Sequence, residues 1–511
     1  MASGKLFRAV TVVTMFSVIT RALSFLFKIY LSRTLGAEVM GLYQIALSMF
    51  FLFSALSASG LQTVLSRKTA ELRAVGKTEN IFTLFSATFL IGSGIATATF
   101  LIILLCRPIL PDLMSDARSI PLFLLMSPAL ITTCIYSTVR SWFWGNKQFT
   151  YFGITETVEE VLRILFTLLF VSGIVSNISG AYGVALAFTV SDAVVALILL
   201  VLYFVKGGRL ARPTLAAARS VALPALPLSV MRVFGGLVGT ILALMLPARL
   251  VASGISVAEA TAGVGRIAGM ANPLLFAPNA LIGSLAVVLI PEMSESRAKQ
   301  NFSALNRHIN GGISFGIVVS GLFFTVYAAL GIPLTELLFA DTLAGEYLRY
   351  AAFTMLLTPI NIVLGSALNS IGAEKDSFYS FAFGTVLMLI AFYFLPRYLG
   401  LYSVIAANAL YQIASIAGNA WFLAKKTKVS FRFPRTLLLV TVIALPAIYF
   451  TSLLYGLLRD VHTVLALTVA APLGAGMYLL LSYVFGLIET DGFRISSVFP
   501  RKKSVKRLPT P

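Results

Sequence analysis

Charged residues and the residues that build catalytic centres are scarce in this sequence. Only 12% of the 511 residues are charged, against about a quarter in soluble domains, which excludes a water-soluble globule. Two cysteines, Cys106 and Cys134, cannot form a disulfide framework, and two histidines with scattered carboxylates give no metal-binding pattern. No nucleophile, base and orienting partner stand together, and there is no phosphate-binding glycine loop, so we expect neither enzymatic activity nor a bound cofactor.

Apolar residues, in contrast, make up 58% of the chain and fall into long runs between charged or Gly/Pro-rich breaks. A helix needs about 20 apolar residues to cross a bilayer. The runs therefore predict an all-α polytopic membrane protein with fourteen transmembrane helices. Their approximate bounds are 9–30, 42–65, 81–105, 119–140, 156–176, 180–205, 220–247, 263–290, 309–332, 346–369, 378–395, 399–423, 436–457 and 462–487.

The positive charges are concentrated in alternate loops. The chain has 39 Lys and Arg against 20 Asp and Glu, a formal charge of +19. Placing the N-terminus inside puts most of this excess in the cytoplasm, as the positive-inside rule requires. We therefore predict a bacterial plasma-membrane protein with both termini cytoplasmic. Its basic tail, 491–511, is expected to lie on anionic lipid headgroups rather than on nucleic acid.

Three weak internal sequence similarities indicate a duplication. They pair 180–188 with 400–408, Ser127 with Thr358, and Arg21 with Arg232. Because each copy holds six helices, both copies share one orientation and face a central cleft. The predicted domains are two parallel six-helix lobes of the MATE/MOP type, 1–210 and 211–428, followed by helices thirteen and fourteen, 429–490.

Several cationic residues lie inside predicted spans, where ionisable groups usually face a wet pathway. Arg21 and Lys28 are seven residues apart on one face of helix one, and Arg232 lies at matching depth in helix seven. Arg266 and Asn272 lie in the proline-containing helix eight, and Arg266 either lines the cavity or snorkels to the interface. Since a guanidinium matches phosphate and pyrophosphate, these five residues are the predicted substrate-binding set.

A second group, mostly acidic, is a candidate for coupling transport to Na⁺ or H⁺. It comprises Glu156, Glu159, Glu160 and Arg163 on one face of helix five and Asp192 in helix six. A purely structural interpretation is also open, because glutamates suit a helix N-terminus and Glu159 is spaced to pair with Arg163. Asp192 corresponds to Gln412 at an offset of 220, so a polar residue is kept in both copies.

The opening stretch 19–71, ITRALSFLFKIYLSRTLGAEVMGLYQIALSMFFLFSALSASGLQTVLSRKTAE, resembles the first two helices of the multidrug/oligosaccharidyl-lipid/polysaccharide (MOP) exporter superfamily. The likeness is greatest to its stage V sporulation protein B branch, and 225–236, 265–295 and 365–378 agree. The resemblance implies a flippase that moves undecaprenyl-pyrophosphate-linked oligosaccharide, such as the peptidoglycan precursor lipid II, by alternating access. Arg21, in the TR motif, is the strongest match to a functional position of the family.

The chain departs from the related peptidoglycan flippases at two positions of helix two. Leu42 and Ser54 stand where those proteins have an acidic residue and an arginine. In helix four, SWFWG at 141–145 replaces the motif like GYFQG of the stage V sporulation protein B branch. A subgroup with its own substrate is therefore expected. Two alternatives are a cation-coupled multidrug exporter of the same fold, which Asp192 and the helix-five glutamates would serve, and a non-transporting membrane scaffold of envelope synthesis.

Overall fold

A computed structural model describes residues 2–57, 59–172, 180–427 and 429–488, and within these ranges the regular structure is entirely helical. The chain forms two compact units, Met1–Met270 and Ala271–Pro511. The predicted lobe boundaries at 210 and 428 remain predictions, and the basic tail, 491–511, lies outside the described residues.

Within the described residues, the first unit contains ten α-helices. They are α1 (Ala2–Ser57), α2 (Ser59–Ala74), α3 (Thr78–Leu105), α4 (Leu110–Leu113), α5 (Ser119–Met126), α6 (Ala129–Gly145), α7 (Phe149–Val171), α8 (Gly180–Val205), α9 (Leu215–Ala252) and α10 (Val257–Val264). A π-helical segment, Gly265–Ala271, follows α10.

The second unit also contains ten. They are α11 (Asn272–Leu275), α12 (Asn279–Ala298), α13 (Phe302–Phe339), α14 (Thr342–Ala351), α15 (Thr358–Ser370), α16 (Glu374–Phe394), α17 (Pro396–Leu399), α18 (Ser403–Lys426), α19 (Phe433–Leu458) and α20 (Thr463–Val484).

The first two predicted spans lie in one long helix, α1, that is broken at Gly36. The backbone there has φ 78° and ψ 174°, which glycine adopts without steric cost. The apolar part, Met15–Ser57, has 43 residues. At 1.5 Å per residue it is about 65 Å long, roughly twice the hydrocarbon thickness of a bilayer. Its length therefore suffices for two crossings that turn at Gly36.

Among the described residues, ten helices are long and apolar enough to span a membrane, or eleven if α5 and α6, bent by 42°, form one span. The all-helical membrane class is thus confirmed, whereas the count of fourteen and the two repeats remain predictions. Three features account for the difference from fourteen to eleven. Helices one and two share α1, helix five is the charged α7, and helix eight is divided among α10, the π-helical segment, α11 and α12. The division falls at Pro273 and Pro278, which interrupt helical hydrogen bonding.

An aromatic layer fixes α6 and α3 against α8 in the first unit. The buried Tyr203 ring of α8 stacks on Phe85 of α3 at 4.1 Å and meets Trp142 of α6 edge-on at 5.0 Å, measured between ring centroids. The Tyr203 hydroxyl donates to the Arg209 carbonyl at 2.8 Å, so the buried phenol is not left unsatisfied. This packing holds α6 and α8 in register beside α7.

Candidate functional site

A buried ion-pair network joins α7 to α8. Arg163 donates to Glu159 at 2.6 Å and to Glu160 at 2.9 Å, both on its own helix, and to Asp192 of α8 at 3.4 Å. The Asp192 side chain is only 1% exposed and accepts a second hydrogen bond, 2.6 Å long, from the Thr133 hydroxyl of α6. One guanidinium therefore serves three carboxylates and ties two helices together.

Arg140 is the second cation of the network. The predicted fourth span, 119–140, ends at this residue, but α6 continues to Gly145 because the residues after Arg140 are mostly apolar. Its side chain, 13% exposed, lies 3.5 Å from Glu159 and 3.7 Å from Glu156. Its guanidinium also lies 4.5 Å from the centre of the Phe152 ring, a favourable cation–π distance.

The α1 helix covers the open side of this network. The Ser24 hydroxyl donates to Glu160 at 2.7 Å, and the hydroxyls of Thr20 and Thr157 are 3.0 Å apart. The half-buried Lys28 ammonium interacts electrostatically with Glu160. These contacts join α1 to α7 through hydroxyl groups and charge, so the two helices form one polar wall.

The charges of the region balance. Its four carboxylates are those of Glu156, Glu159, Glu160 and Asp192, and its four cations are Arg21, Lys28, Arg140 and Arg163. A buried charge is costly unless it is paired, so balance is what a folded wall of this kind requires.

Arg21 differs from the other three cations. It is exposed on a cavity of about 350 Å³ that is also lined by Ser24, Arg140 and the three glutamates of α7. Within the described ranges, Arg21 takes part in no ion pair. Arg140 and Arg163 pair directly with the glutamates, whereas Arg21 adds to the net charge of the region and presents its guanidinium to whatever enters the cavity.

The other predicted substrate residues lie elsewhere. Arg232 is exposed on α9 and its Nη2 donates to the Thr63 hydroxyl at 3.1 Å. Arg266 is half-buried in the π-helical segment. Asn272 begins α11 and lines a cavity of about 60 Å³ with Gln412 and several other residues of the second unit. Of the predicted residues, the structure therefore groups Arg21 and Lys28 with the helix-five charges and Asp192.

The second unit carries an uncharged network at the position that matches Asp192. Gln412 of α18 accepts from the Asn361 amide at 2.9 Å and donates to the Thr358 hydroxyl at 3.1 Å, both on α15. Ser415 and Asn419 donate to the Asn361 carbonyl oxygen at 2.9 and 3.1 Å. The α15–α18 pair here resembles the α6–α8 pair, where Thr133 meets Asp192.

Sequence reasoning missed Arg140, Thr133 and Ser24. Thr133 and Arg140 are seven residues apart in α6, hence on one face, and this spacing was a usable signal. Charge balance was another signal, because four carboxylates inside spans need four cations. In the described part of the chain no group of three His, Cys, Asp or Glu side chains is arranged to hold a metal ion.

A bundle of long apolar helices with a buried, balanced ion-pair network and an exposed arginine on a polar cavity defines a multi-pass membrane protein built for transport. The family model for polysaccharide biosynthesis proteins matches residues 6–297, more than half of the chain. The chain belongs to this family, in the polysaccharide and lipid flippase branch of the MOP superfamily, and the resemblance drawn from the sequence is confirmed.

Individual relatives agree with this assignment. Stage V sporulation protein B of Bacillus subtilis (strain 168) is 24% identical and covers 70% of this chain and 71% of its own length. Lipid II flippase MurJ of the same organism is 23% identical and covers 95% of this chain and 96% of its own length. A solved structure of lipid II flippase MurJ in an inward closed conformation matches with a TM-score of 0.71 at 14% identity, covering 92% of this chain and 98% of that chain.

Proposed function

We propose that this protein is a flippase for undecaprenyl-pyrophosphate-linked oligosaccharide, lipid II or a related polysaccharide unit, that works by alternating access and without covalent chemistry. The observation that carries the proposal is the exposed Arg21 guanidinium on the 350 Å³ cavity, without an ion pair in the described part of the chain. Its planar fork of donors suits a pyrophosphate. The similarity to a lipid II flippase along 95% of the chain supports the same substrate class.

The ion-pair network explains how an anion is tolerated beside three glutamates. Unpaired carboxylates at the cavity would repel a pyrophosphate. Arg140 pairs with Glu156 and Glu159, and Arg163 pairs with Glu159 and Glu160, to which Ser24 also donates. Each glutamate of the cavity therefore has a partner other than Arg21, whose guanidinium donors stay available to a substrate. In this proposal, Arg21 binds substrate and the network supports that binding.

Coupling to an ion or to the membrane potential is the second part of the proposal. Asp192 and the glutamates of α7 are the titratable groups of the network next to Arg21, the proposed substrate-binding residue. A proton or Na⁺ arriving there would compete with Arg163 and release it from one partner. We expect both termini in the cytoplasm of a bacterial cell, with the basic tail against anionic headgroups.

The test is translocation of fluorescent lipid II and other lipid-linked saccharides in proteoliposomes. We expect wild-type protein to translocate at least one of them and Arg21→Gln to lose at least about tenfold in rate, the value of one charge-assisted contact. Arg67→Gln is the matched control, since Arg67 is an exposed arginine whose ion pair, within the described residues, is with Glu71 one turn further along the same helix.

Each other outcome rejects the proposal in a defined way. If Arg21→Gln translocates as fast as wild type, the Arg21 cavity is not the substrate site for translocation. Efflux of cationic drugs without lipid translocation would establish the multidrug exporter. A wild-type protein that moves neither class, with or without an imposed potential, would establish the scaffold.

A further inference from the structure

A second polar cavity lies in the unit Ala271–Pro511, between the start of α13 and the segment that leads into α19. Its volume is about 340 Å³. It is lined by Gly311 and by six residues with polar side chains, Ser303, Asn306, Arg307, Asn310, Ser314 and Arg432. We call it the α13–α19 pocket. None of its lining residues belongs to the Arg21 cavity, and the proposed flipping mechanism does not use it.

The charge of the α13–α19 pocket is of one sign. Two arginines, Arg307 and Arg432, are exposed in it and no carboxylate lines it. Within the residues that the structure describes, neither guanidinium takes part in an ion pair. The Arg21 cavity, of nearly equal volume, contains three glutamates. The α13–α19 pocket is therefore a positive site whose two guanidinium groups are not neutralised by a carboxylate of its lining.

The pocket wall is preformed by the buried Asn310 side chain. Its amide nitrogen donates to the Ser430 carbonyl at 2.8 Å, and its carbonyl oxygen accepts from the Arg432 backbone N–H at 2.8 Å. The Asn306 amide also donates to the Ser430 hydroxyl, at 3.2 Å. These bonds fix the approach to α19 against α13, so Arg432 and Arg307 face one space without rearrangement of the backbone.

The N-terminus of α19 adds to the positive charge near the pocket. Arg432 is the N-cap residue of α19, a 26-residue helix, and its side chain makes no capping hydrogen bond. The N-terminus of such a helix carries a partial positive charge that attracts anions, although Pro434 removes one N–H group from the first turn of α19. Hydroxyl and amide donors from Ser303, Ser314 and Asn306 complete a set of donors without a competing acidic group.

We propose that the α13–α19 pocket binds a phosphate group, held by Arg307 and Arg432. Paired guanidiniums recognise phosphate through planar, bidentate hydrogen bonds. The volume lies within the range of small-ligand sites, about 300 to 1,000 Å³, and so accommodates a phosphate with a glycerol-sized substituent. The phosphate is either that of a membrane lipid headgroup or that of a soluble compound.

The experiment uses the full chain and two probes. For the soluble source, thermal unfolding in detergent is compared in inorganic phosphate and in chloride at equal ionic strength. For the lipid source, protein reconstituted in mixed phosphatidylglycerol and phosphatidylcholine vesicles is extracted, and the retained phosphatidylglycerol is counted by native mass spectrometry. The variants are Arg307→Gln/Arg432→Gln and, as control, Arg435→Gln, which removes an exposed arginine three residues beyond Arg432 that does not line the pocket.

We expect the double variant to bind its phosphate at least about tenfold more weakly than wild type, because two charge-assisted contacts are lost, and Arg435→Gln to match wild type. Retained phosphatidylglycerol would identify a lipid headgroup as the ligand, and stabilisation by inorganic phosphate alone would identify a soluble one. Two results would overturn the proposal. One is no binding of either probe by wild type, and the other is an equal loss in the double variant and in Arg435→Gln.

Discussion

Removing the Arg163 guanidinium should destabilise the protein mainly through Asp192. Of the three carboxylates that Arg163 contacts, Glu159 keeps Arg140 at 3.5 Å and Glu160 keeps the Ser24 hydroxyl. Among the residues that the structure describes, Asp192, 1% exposed, keeps only the Thr133 hydroxyl as a side-chain partner. Its negative charge then lies buried without a cation.

The magnitude follows from that imbalance. Breaking a buried ion pair by removing one partner costs about 3–5 kcal/mol, most of it from the stranded charge. We therefore expect Arg163→Met to lower the free energy of unfolding by an amount in this range. Adding Asp192→Asn removes the stranded charge and keeps an acceptor for Thr133, so the double variant should recover about 2 kcal/mol of the loss, a coupling typical of residues in contact.

The chain contains a native thiol that can report the unfolding. Cys134, 1% exposed, reacts with a fluorogenic maleimide only when the bundle opens. Cys106 is half-buried, so a Cys106→Ser background removes its contribution to the baseline. Thermal unfolding of wild type, the two single variants and the double variant in detergent then gives a complete mutant cycle.

Two results would refute the reasoning. If Arg163→Met unfolds at the wild-type temperature, the network does not support the fold. If the effects of Arg163→Met and Asp192→Asn simply add, the two side chains are not coupled and the stranded-charge account is wrong. Arg67→Gln, which breaks an exposed pair with Glu71, is the control and should change the free energy of unfolding by less than about 1 kcal/mol.

Two further predictions concern the first unit. Gly41→Ala should destabilise it, because a Cβ there would lie 1.9 Å from the Thr261 carbonyl oxygen. Gly94→Ala meets open space and should stabilise α3 by up to about 1 kcal/mol. Thermal unfolding of both variants checks the prediction, and equal shifts in melting temperature would contradict the close approach at Gly41. Burial opposes ionisation of Asp116, but hydrogen bonds from Arg118 and Thr261 outweigh it and hold the pKa of Asp116 below its ordinary value. The resulting stability is present above the ordinary pKa and is lost as the pH falls through the lowered one, so the loss from Asp116→Asn should be largest at neutral pH and vanish in acid; a pH-independent loss would count against this account.

Helical periodicity was sufficient to group part of the candidate site. The spacing of Glu156, Glu159, Glu160 and Arg163 placed them on one face, and in α7 Arg163 contacts two of these glutamates. Such contacts are local, since residues three and four apart are neighbours on any helix. Arg21 was singled out for its depth in a span, and it does lie on a polar cavity.

Contacts between helices were not predictable in the same way. The predicted fourth span ends at Arg140, yet α6 continues past this residue and its charge pairs with α7. The predicted spans 9–30 and 42–65 leave a connection that contains Gly36, but the neighbouring residues do not specify the backbone φ of 78° that turns the chain there. In both cases the deciding interaction is tertiary or conformational, and hydropathy does not record it.

The two units bridge neighbouring helices with different polar side chains, and the difference affects where transport can be coupled to an ion. In each, a polar side chain on one helix accepts a hydrogen bond from a helix packed beside it, Thr133 to Asp192 in the first unit and Asn361 to Gln412 in the second. A carboxamide does not titrate and binds a cation weakly, whereas a buried carboxylate held by Arg163 changes its interactions whenever a proton or cation arrives. If the two positions are related by duplication, the second unit retains the structural bridge without the charge. Any coupling at this pair of positions is then a property of the first unit alone, the unit that also holds Arg21.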